Sequence, residues 1–424
     1  MSIVNFNKQK ILENIEQNLA VRQDEKNKYG EVFTPAPLIE IILDTIPSAV
    51  WKNPDLRWLD PAAGSGNFFA LVFPRLMEGL SWEIADKRKR EKHILEKMFH
   101  MVELNKENAK RLRTLFGEKA KIVTGDYLKT TFDDEKFDVI LGNPPFQEDA
   151  HVGDEGYKYI RTGSNKLYEK FIRKSIDELS EKGWLAFISP DNVFTGNTNP
   201  LYREILEKTQ VHVLGFDRIQ ETYFPGIQQD MCYFLLRKSQ ENQIYKTKIL
   251  PGNAKPWTTF LQDRPINPVR EWTSTNDRLL KKYISNVKNQ AVYFRGGSAK
   301  DYTGGKYEVI YSETQRLRTD NPEFAKGRGI PKIVLFETDP TSQGVMDETG
   351  KYGVGPHTFY VPFQTKKEGR KLKSFFRSDA YKKLVEITTT SYYLKTALIL
   401  YLKLDRIAKN KRKTHKNSQP VVRS

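Results

Sequence analysis

The chain is poor in residues that staple or ligate. Its 424 residues include one cysteine, Cys232, and six histidines. A single cysteine excludes an internal disulfide framework and a cysteine-based zinc site. The histidines show no ligand-like spacing, so no metal site is expected. No apolar run approaches the roughly 20 residues that a membrane-crossing helix needs, so no membrane partner is expected either. The first residues, MSIVNFNKQKILENIEQN, mix charged and apolar side chains and lack the unbroken apolar core of a secretory signal. These gaps lead to the expectation of a soluble protein in a reducing compartment, the cytoplasm.

Acidic residues run short in one half only. Residues 239–424 hold 35 Lys and Arg against 17 Asp and Glu, an excess of 18, whereas residues 1–238 are close to neutral, with 34 against 36. The whole surplus of the +16 chain therefore belongs to its C-terminal half. Such asymmetry suits a near-neutral half joined to one that meets a polyanion. A hydrophobic content of 38% and an aromatic content of 12% exclude a disordered chain, and the length allows two domains with separate cores.

Between residues 58 and 143 short apolar runs alternate with helical stretches. WLD (58–60), FHMVEL (99–104), KIVTG (121–125) and FDVILGN (137–143) read as strands. Strands buried on both faces and separated by helices predict a doubly wound, mostly parallel, Rossmann-like α/β sheet. A helix over 166–181 leads to WLAFISP (184–190), and VHVLGFD (211–217) with DMCYFLLRK (230–238) suggests an antiparallel last pair. Upstream, Thr34 followed by Pro35 has the form of a helix start, with Thr34 as N-cap. After residue 239 the periodicity becomes irregular, with loops, short strands and helical patterns at 369–387 and 392–408, which predicts a mixed α+β domain. The expected boundaries are a first domain at 1–240, a second at 241–408 and a basic disordered tail at 409–424, whose last stretch has six basic residues and no acidic ones.

The strand ends carry the chemistry. DPAAGSGNF (60–68) places glycines directly after the first strand, where backbone can approach a ligand closely. It lacks the Gly-Lys-Ser/Thr ending of a P-loop, so nucleoside triphosphate binding is not indicated. Glu103 closes the second strand, where a carboxylate can accept both hydroxyls of a ribose. At the third strand's end, Asp126 can accept from an exocyclic amine and Tyr127 can cover a base. Asp60, Glu103 and Asp126 thus line one edge of one sheet. The fourth strand ends on Asn143-Pro144-Pro145-Phe146. Two prolines fix the backbone and remove two donors, leaving carbonyls and the Asn143 oxygen as a rigid arc of acceptors. That arc suits a planar amine, and Phe146 offers a face for a flat ring. The plainer alternative, a rigid turn with Phe146 in the core, stays open at this point.

In this order GEVFTP (30–35), DPAAGSGNF, VEL, GDYL, NPPF, NKLYEKFIRKSIDEL, GWLAFISP and YFPG (223–226) resemble the adenine-N6 amino-methyltransferases of restriction-modification type in their gamma arrangement. The resemblance covers about residues 28–238, and the remainder only through its basic, aromatic-rich character and GVGPHTFYV (353–361). It implies S-adenosylmethionine as cofactor. Thr34, Pro35, Asp60, Ala62, Gly64 and Gly66 would meet its methionine end and the loop around it. Glu103 and Leu104 would hold the ribose side, and Asp126 and Tyr127 the adenine, with Asn143 beside the transferred methyl. Asn143, Pro144, Pro145 and Phe146 would form the catalytic motif, and Phe146 and Phe224 would stack on a target base flipped out of duplex DNA.

The resemblance also implies a target-recognition domain after the catalytic one. Arg295, Lys300, Arg316, Arg318, Lys326, Arg328, Lys366, Lys367 and Arg370 are the candidates for DNA contact there. A restriction endonuclease acting on the same site is the implied partner; nuclease motifs find no match in a separate domain. Two alternatives share these features. An RNA base N-methyltransferase would use the same motif with a basic domain turned to RNA, and a catalytically silent relative would bind DNA without cofactor.

Overall fold

The computed structural model describes residues 34–133, 135–146, 166–196, 199–216, 219–224, 229–239, 245–252, 254–262, 264–268, 271–340, 342–389 and 396–409. The expected tail beyond Lys409 and the residues before Thr34 lie outside them. The chain divides into two compact units, one running to Arg264 and including Glu271–Thr273, the other comprising Pro265–Arg270 and the chain from Ser274.

The first unit is built on a nine-stranded sheet. Its strands are β1 (Trp58–Asp60), β2 (Phe99–Glu103), β3 (Lys121–Thr124), β4 (Phe137–Gly142), β5 (Leu179–Pro190), β6 (Thr209–Phe216), β7 (Met231–Lys238), β8 (Thr247–Pro251) and β9 (Trp257–Thr259). They are ordered β3-β2-β1-β4-β5-β7-β6-β8-β9. The strands β1 to β5 pair in parallel, and β7 lies antiparallel between β5 and β6, as the sequence pattern predicts.

Alternation along the strands explains why helices cover both faces. Trp58, Phe99, Val139 and Leu141 face one core, and Leu59, Val102 and Ile140 the other. The first core is closed by α1 (Ala36–Leu43), α2 (Asn67–Gly79) and α4 (Lys106–Phe116), with α3 (Lys87–His93) between the last two in the chain. The second is closed by α5 (Leu167–Glu178) and α6 (Pro200–Lys208), and a short α7 (Ile219–Tyr223) precedes β7. Phe69, Leu76, Leu112, Ile172 and Ile205 are each fully buried, contributing about 1.5–3 kcal/mol apiece.

Two expectations are corrected here. The first domain does not end near residue 240, because β8 pairs in parallel with β6 and β9 returns antiparallel beside it. Thr247 and Ile249 are buried against the sheet, and the Thr247 hydroxyl donates to Val211 O at 2.8 Å. The drop in acidic charge after residue 239 marks a change of surface, not the end of the sheet. Helix α5 also stops at Glu178 instead of 181. Leu179 already pairs with Phe137, and the chain makes an excursion through Lys182 (φ +65°) before Trp184 rejoins β4 opposite Val139.

The second unit contributes β10 (Val292–Phe294), β11 (Tyr307–Ile310), β12 (Arg316–Thr319), β13 (Lys332–Phe336), β14 (Val345–Asp347), β15 (Gly353–Val354) and β16 (Thr358–Pro362). They form an antiparallel sheet β10-β16-β13-β14 and a small sheet β12-β11-β15. Helices α8 (Ser274–Tyr283), α9 (Lys366–Phe376), α10 (Asp379–Thr388), α11 (Thr396–Leu400) and α12 (Leu404–Lys409) complete it. Ile333, Leu335, Phe359 and Val361 pack against Leu372, Phe376 and Leu384. The helical pattern over 369–387 is two helices, because Ser378 caps the second by accepting from Tyr381 N at 3.3 Å. Lys332 and Asp347 are buried together in this unit at 2.7 Å.

Candidate active site

At the carboxyl edge of the first sheet, β1 ends on Asp60 and the chain turns through Ala62 and Gly64 into α2. Gly64 (φ +53°) and Gly66 (φ +85°) both hold left-handed backbone that a side chain would strain. Gly66 has a second constraint, since a Cβ there would lie 2.7 Å from the Phe116 ring and 2.8 Å from Leu112. At Gly64 a Cβ would meet no atom within 4 Å, so space stands open beside the turn.

Glu103 braces that turn. One carboxylate oxygen accepts from Gly64 N at 2.7 Å and the other from Asn105 N at 2.8 Å. Next to it in the chain, Leu104 is 71% exposed, an apolar side chain left in solvent just after β2. Asp60 is 1% exposed, and its Oδ1 accepts from Ala62 N at 3.1 Å. Burial pushes its carboxyl up to about 8, against the pull of the Ala62 N–H, and the neighbouring Glu103 carboxylate adds to the rise. Two acids on one edge with the inner one held up in this way form a site that a cationic ligand group would relieve.

Three motifs meet at Thr34. The Asn67 amide, at the start of α2, donates to Thr34 O at 3.4 Å, and the Asn143 amide donates to Thr34 Oγ1 at 3.1 Å. The expected N-cap role of Thr34 is corrected by this arrangement. Helix α1 begins one residue later with Pro35 at its N-cap and Pro37 inside its first turn, and no side chain caps it. Capping passes to proline geometry, and the Thr34 hydroxyl serves Asn143 instead.

Asn143 follows Gly142, which sequence reasoning left out of the site. A Cβ on Gly142 would stand 2.9 Å from Asp60 Oδ1, so the absent side chain lets β4 lie against the β1 carboxylate. A glycine directly before the Asn-Pro-Pro-Phe motif was the available signal. Pro144 is buried, Pro145 exposed and Asn143 half-buried. Phe146 is half-buried and packs at the margin of both cores.

The third acid, Asp126, lies half-buried after β3, accepts from Leu128 N at 2.9 Å and pairs with Lys129 at 3.7 Å. Two aromatic side chains singled out in the sequence turn inward. Tyr127, expected over an adenine, is 2% exposed. Its ring lies 5.1 Å from Phe171, and its hydroxyl meets Ser175 Oγ at 3.1 Å. Phe224, expected against a target base, is 2% exposed and packs in the first core. Tyr127 follows a polar turn and Phe224 the end of α7, and at neither place does a sequence reveal whether an aromatic turns inward.

In the second unit all nine basic candidates are exposed. Several already have company. Lys326 pairs with Glu323 at 2.6 Å and Lys366 with Glu348 at 3.0 Å, while Arg316 lies 5.6 Å from the Tyr352 ring and Arg328 5.2 Å from that of Tyr307.

Comparison with known proteins agrees with this geometry. Residues 65–217 match the family model described as Eco57I restriction-modification methylase. An uncharacterized adenine-specific methylase of Mycoplasma pneumoniae is 25% identical over 299 residues, 50% of this chain and 68% of that protein. Modification methylase CviBIII of Paramecium bursaria Chlorella virus NC1A is 26% identical over 337 residues, 75% of this chain and 81% of that protein. The chain spans from 35% to 81% of the length of the curated relatives it matches. Among solved structures, a nuclease-deletion mutant of the Type ISP restriction-modification enzyme LlaGI, in complex with a DNA substrate mimic, shares the fold. Its TM-score is 0.55 at 13% identity, over 93% of this chain and 55% of that one. Over residues 65–217 the chain is thus similar to the Eco57I restriction-modification methylase family.

Proposed function

We propose that this chain is a site-specific DNA adenine-N6 methyltransferase that uses S-adenosylmethionine. The observation that carries the proposal is the meeting of Asp60, the Glu103-braced glycine turn and Asn143 at one sheet edge, with Thr34 joining the last to α2. The donor set fits the cofactor. Glu103 is held at the sheet edge by the N–H groups of Gly64 and Asn105, and a carboxylate there can accept from ribose hydroxyls. Exposed Leu104 offers an apolar face next to Glu103 in the chain, and the raised Asp60 carboxyl favours a nearby cation. The cofactor, when bound, supplies an electrophilic methyl on a positively charged sulfur.

Asn143 and the Pro144 carbonyl would accept the two hydrogens of a target amine, so that the nitrogen lone pair points toward the methyl. With its amide nitrogen committed to Thr34, Asn143 is oriented for an acceptor role at its oxygen. Phe146 would stack on the extruded base and offset part of the few kcal/mol that flipping costs. Such a site acts by position and by polarising the amine rather than through a strong base. The extra proton of the methylated amine would leave to water, so no basic side chain is required at the site. DNA would be gripped by the basic second unit, an endonuclease cutting the same sequence would be the partner, and the cytoplasm the compartment.

The test is transfer of labelled methyl to duplex DNA, single-stranded DNA and total RNA, with nucleoside analysis of the product. N6-methyladenine in duplex DNA, lost in Asn143→Ala, is the expected result. Label confined to RNA would overturn the substrate, and bound cofactor with label nowhere would overturn the activity.

A further inference from the structure

At one end of the four-stranded sheet in the second unit, three strand ends converge on an exposed histidine. Tyr293 lies on β10, Glu337 follows β13 and His357 precedes β16. The Tyr293 hydroxyl donates to Glu337 Oε2 at 2.7 Å, and His357 Nδ1 meets the same oxygen at 2.9 Å. A carboxylate only accepts, so a ring proton sits on Nδ1, and Nε2 is the ring nitrogen that this contact does not use. Burial, then the bond to Glu337, pushes the Tyr293 phenol up to about 12, which keeps it a donor.

The backbone beneath this cluster is costly. His357 has φ +52°, in the left-handed region that few non-glycine residues occupy, histidine more often than most. It is held from two sides, with His357 N donating to Arg295 O at 3.0 Å and Glu337 N donating to His357 O at 2.8 Å. Gly296 presses close as well, since a Cβ there would lie 2.4 Å from Pro356 Cα. Yet the His357 side chain is 47% exposed and fills no core. Strain of this kind, over-determined by its surroundings and spent on an exposed side chain, points to a function outside the fold.

Resting on the methyltransferase reading above, we propose that His357, oriented by Glu337 and Tyr293 with exposed Arg295 beside it, contacts a base edge of duplex DNA and sets part of the target sequence. A phosphate contact needs charge but little direction, and flexible lysines serve it well. A ring with a fixed tautomer and two anchoring partners is suited to the directional hydrogen bonds by which base edges are told apart.

The test methylates a random-sequence duplex library with the full chain and maps the modified adenines. The variants are His357→Gly, Glu337→Gln and Tyr293→Phe. The wild type is expected to select one short sequence. His357→Gly should lose 10- to 100-fold of its discrimination at one base pair, with a melting temperature equal to or above wild type, because glycine adopts the backbone freely. Glu337→Gln and Tyr293→Phe should relax the same base pair by less. An unchanged consensus in His357→Gly overturns the proposal. So does uniform weakening at all positions with a shallower salt dependence, which marks a phosphate contact. A wild type that methylates no duplex overturns the methyltransferase reading along with this one, whereas an unaltered consensus sinks the inference alone.

Discussion

Each unit buries a carboxylate, and the two are treated in opposite ways. Asp347 in the second unit would be pushed up by burial, but the Lys332 ammonium and the backbone N–H groups of Tyr352 and Lys351 outweigh that and hold it below the usual carboxylate range. Asp60 in the first unit has the Ala62 N–H and a like-charged neighbour, and it is pushed up to about 8. A buried acid whose needs are met inside the fold is a structural pin. One left under-compensated at a strand end, beside a turn with open space, is a site prepared for a ligand's charge. The contrast separates architecture from chemistry better than burial does, since both residues are under 5% exposed.

The strongest break in that comparison is to remove the pin. Asp347→Ala strands Lys332, whose ammonium is fully buried and also donates to Tyr352 O. Losing one partner of a buried pair costs about 3–5 kcal/mol, so denaturant unfolding should show the transition of the second unit moved strongly downward. Cofactor binding, which rests on the first unit, should persist. A stability loss under ~1 kcal/mol would show that the pair is not the anchor described.

Next in size is Asn143→Ala. A directed acceptor at the reacting amine is worth about 10²–10³-fold in rate, and single-turnover transfer at saturating cofactor and DNA should fall by that much while cofactor affinity changes little. Thr34→Val, which keeps the shape but removes the hydroxyl that holds the Asn143 amide, should cost about 10-fold in the same assay. Equal losses in both variants would place the Thr34 contact in the chemistry itself.

The two acids should also leave opposite pH signatures on stability. Asp60 holds a proton in the folded chain up to about pH 8, whereas an unfolded aspartate releases it near 4. Between those values the folded state binds more protons, so its contribution to stability declines as pH rises, by up to ~1.4 kcal/mol per pH unit. Asp347 works in the other direction, contributing above its unfolded pKa and losing that contribution as pH falls through its depressed value. Comparing wild type with Asp60→Asn from pH 4 to 8 isolates the first slope. Calorimetry of S-adenosylmethionine binding in buffers of differing ionisation enthalpy should show proton release near pH 7, absent in Asp60→Asn.

Much of the first unit was legible in the sequence because its determinants are local. Glycines at 64 and 66, acids at strand ends and the alternation of WLD or FDVILGN encode the edge and both faces within a few residues. What escaped was long-range or directional. Nothing in GEVFTP says that Thr34 will hold Asn143, 109 residues away, or that a glycine at 142 makes room for the Asp60 carboxyl. The inward turn of Tyr127 and Phe224 escaped because the cores beneath them are assembled from distant helices and strands. The second unit was legible in charge and loosely in its helices. Its sheets, built from strands of two to five residues, are too short for periodicity to declare them.

The smallest effect tests whether exposed charge in the second unit acts as charge alone. Arg318 stands exposed on the edge strand β12, opposite Glu308 of β11. If it neutralises one phosphate, Arg318→Ala should reduce the slope of log affinity against log salt by about 0.9 and weaken binding evenly across sequences. The preferred methylation sequence should not change. His357→Gly is expected to do the reverse, altering sequence preference with little effect on the slope. A change of preferred sequence in Arg318→Ala would move that strand from the phosphate backbone into a groove, and the division between directional and merely electrostatic contacts in this unit would have to be redrawn around β12.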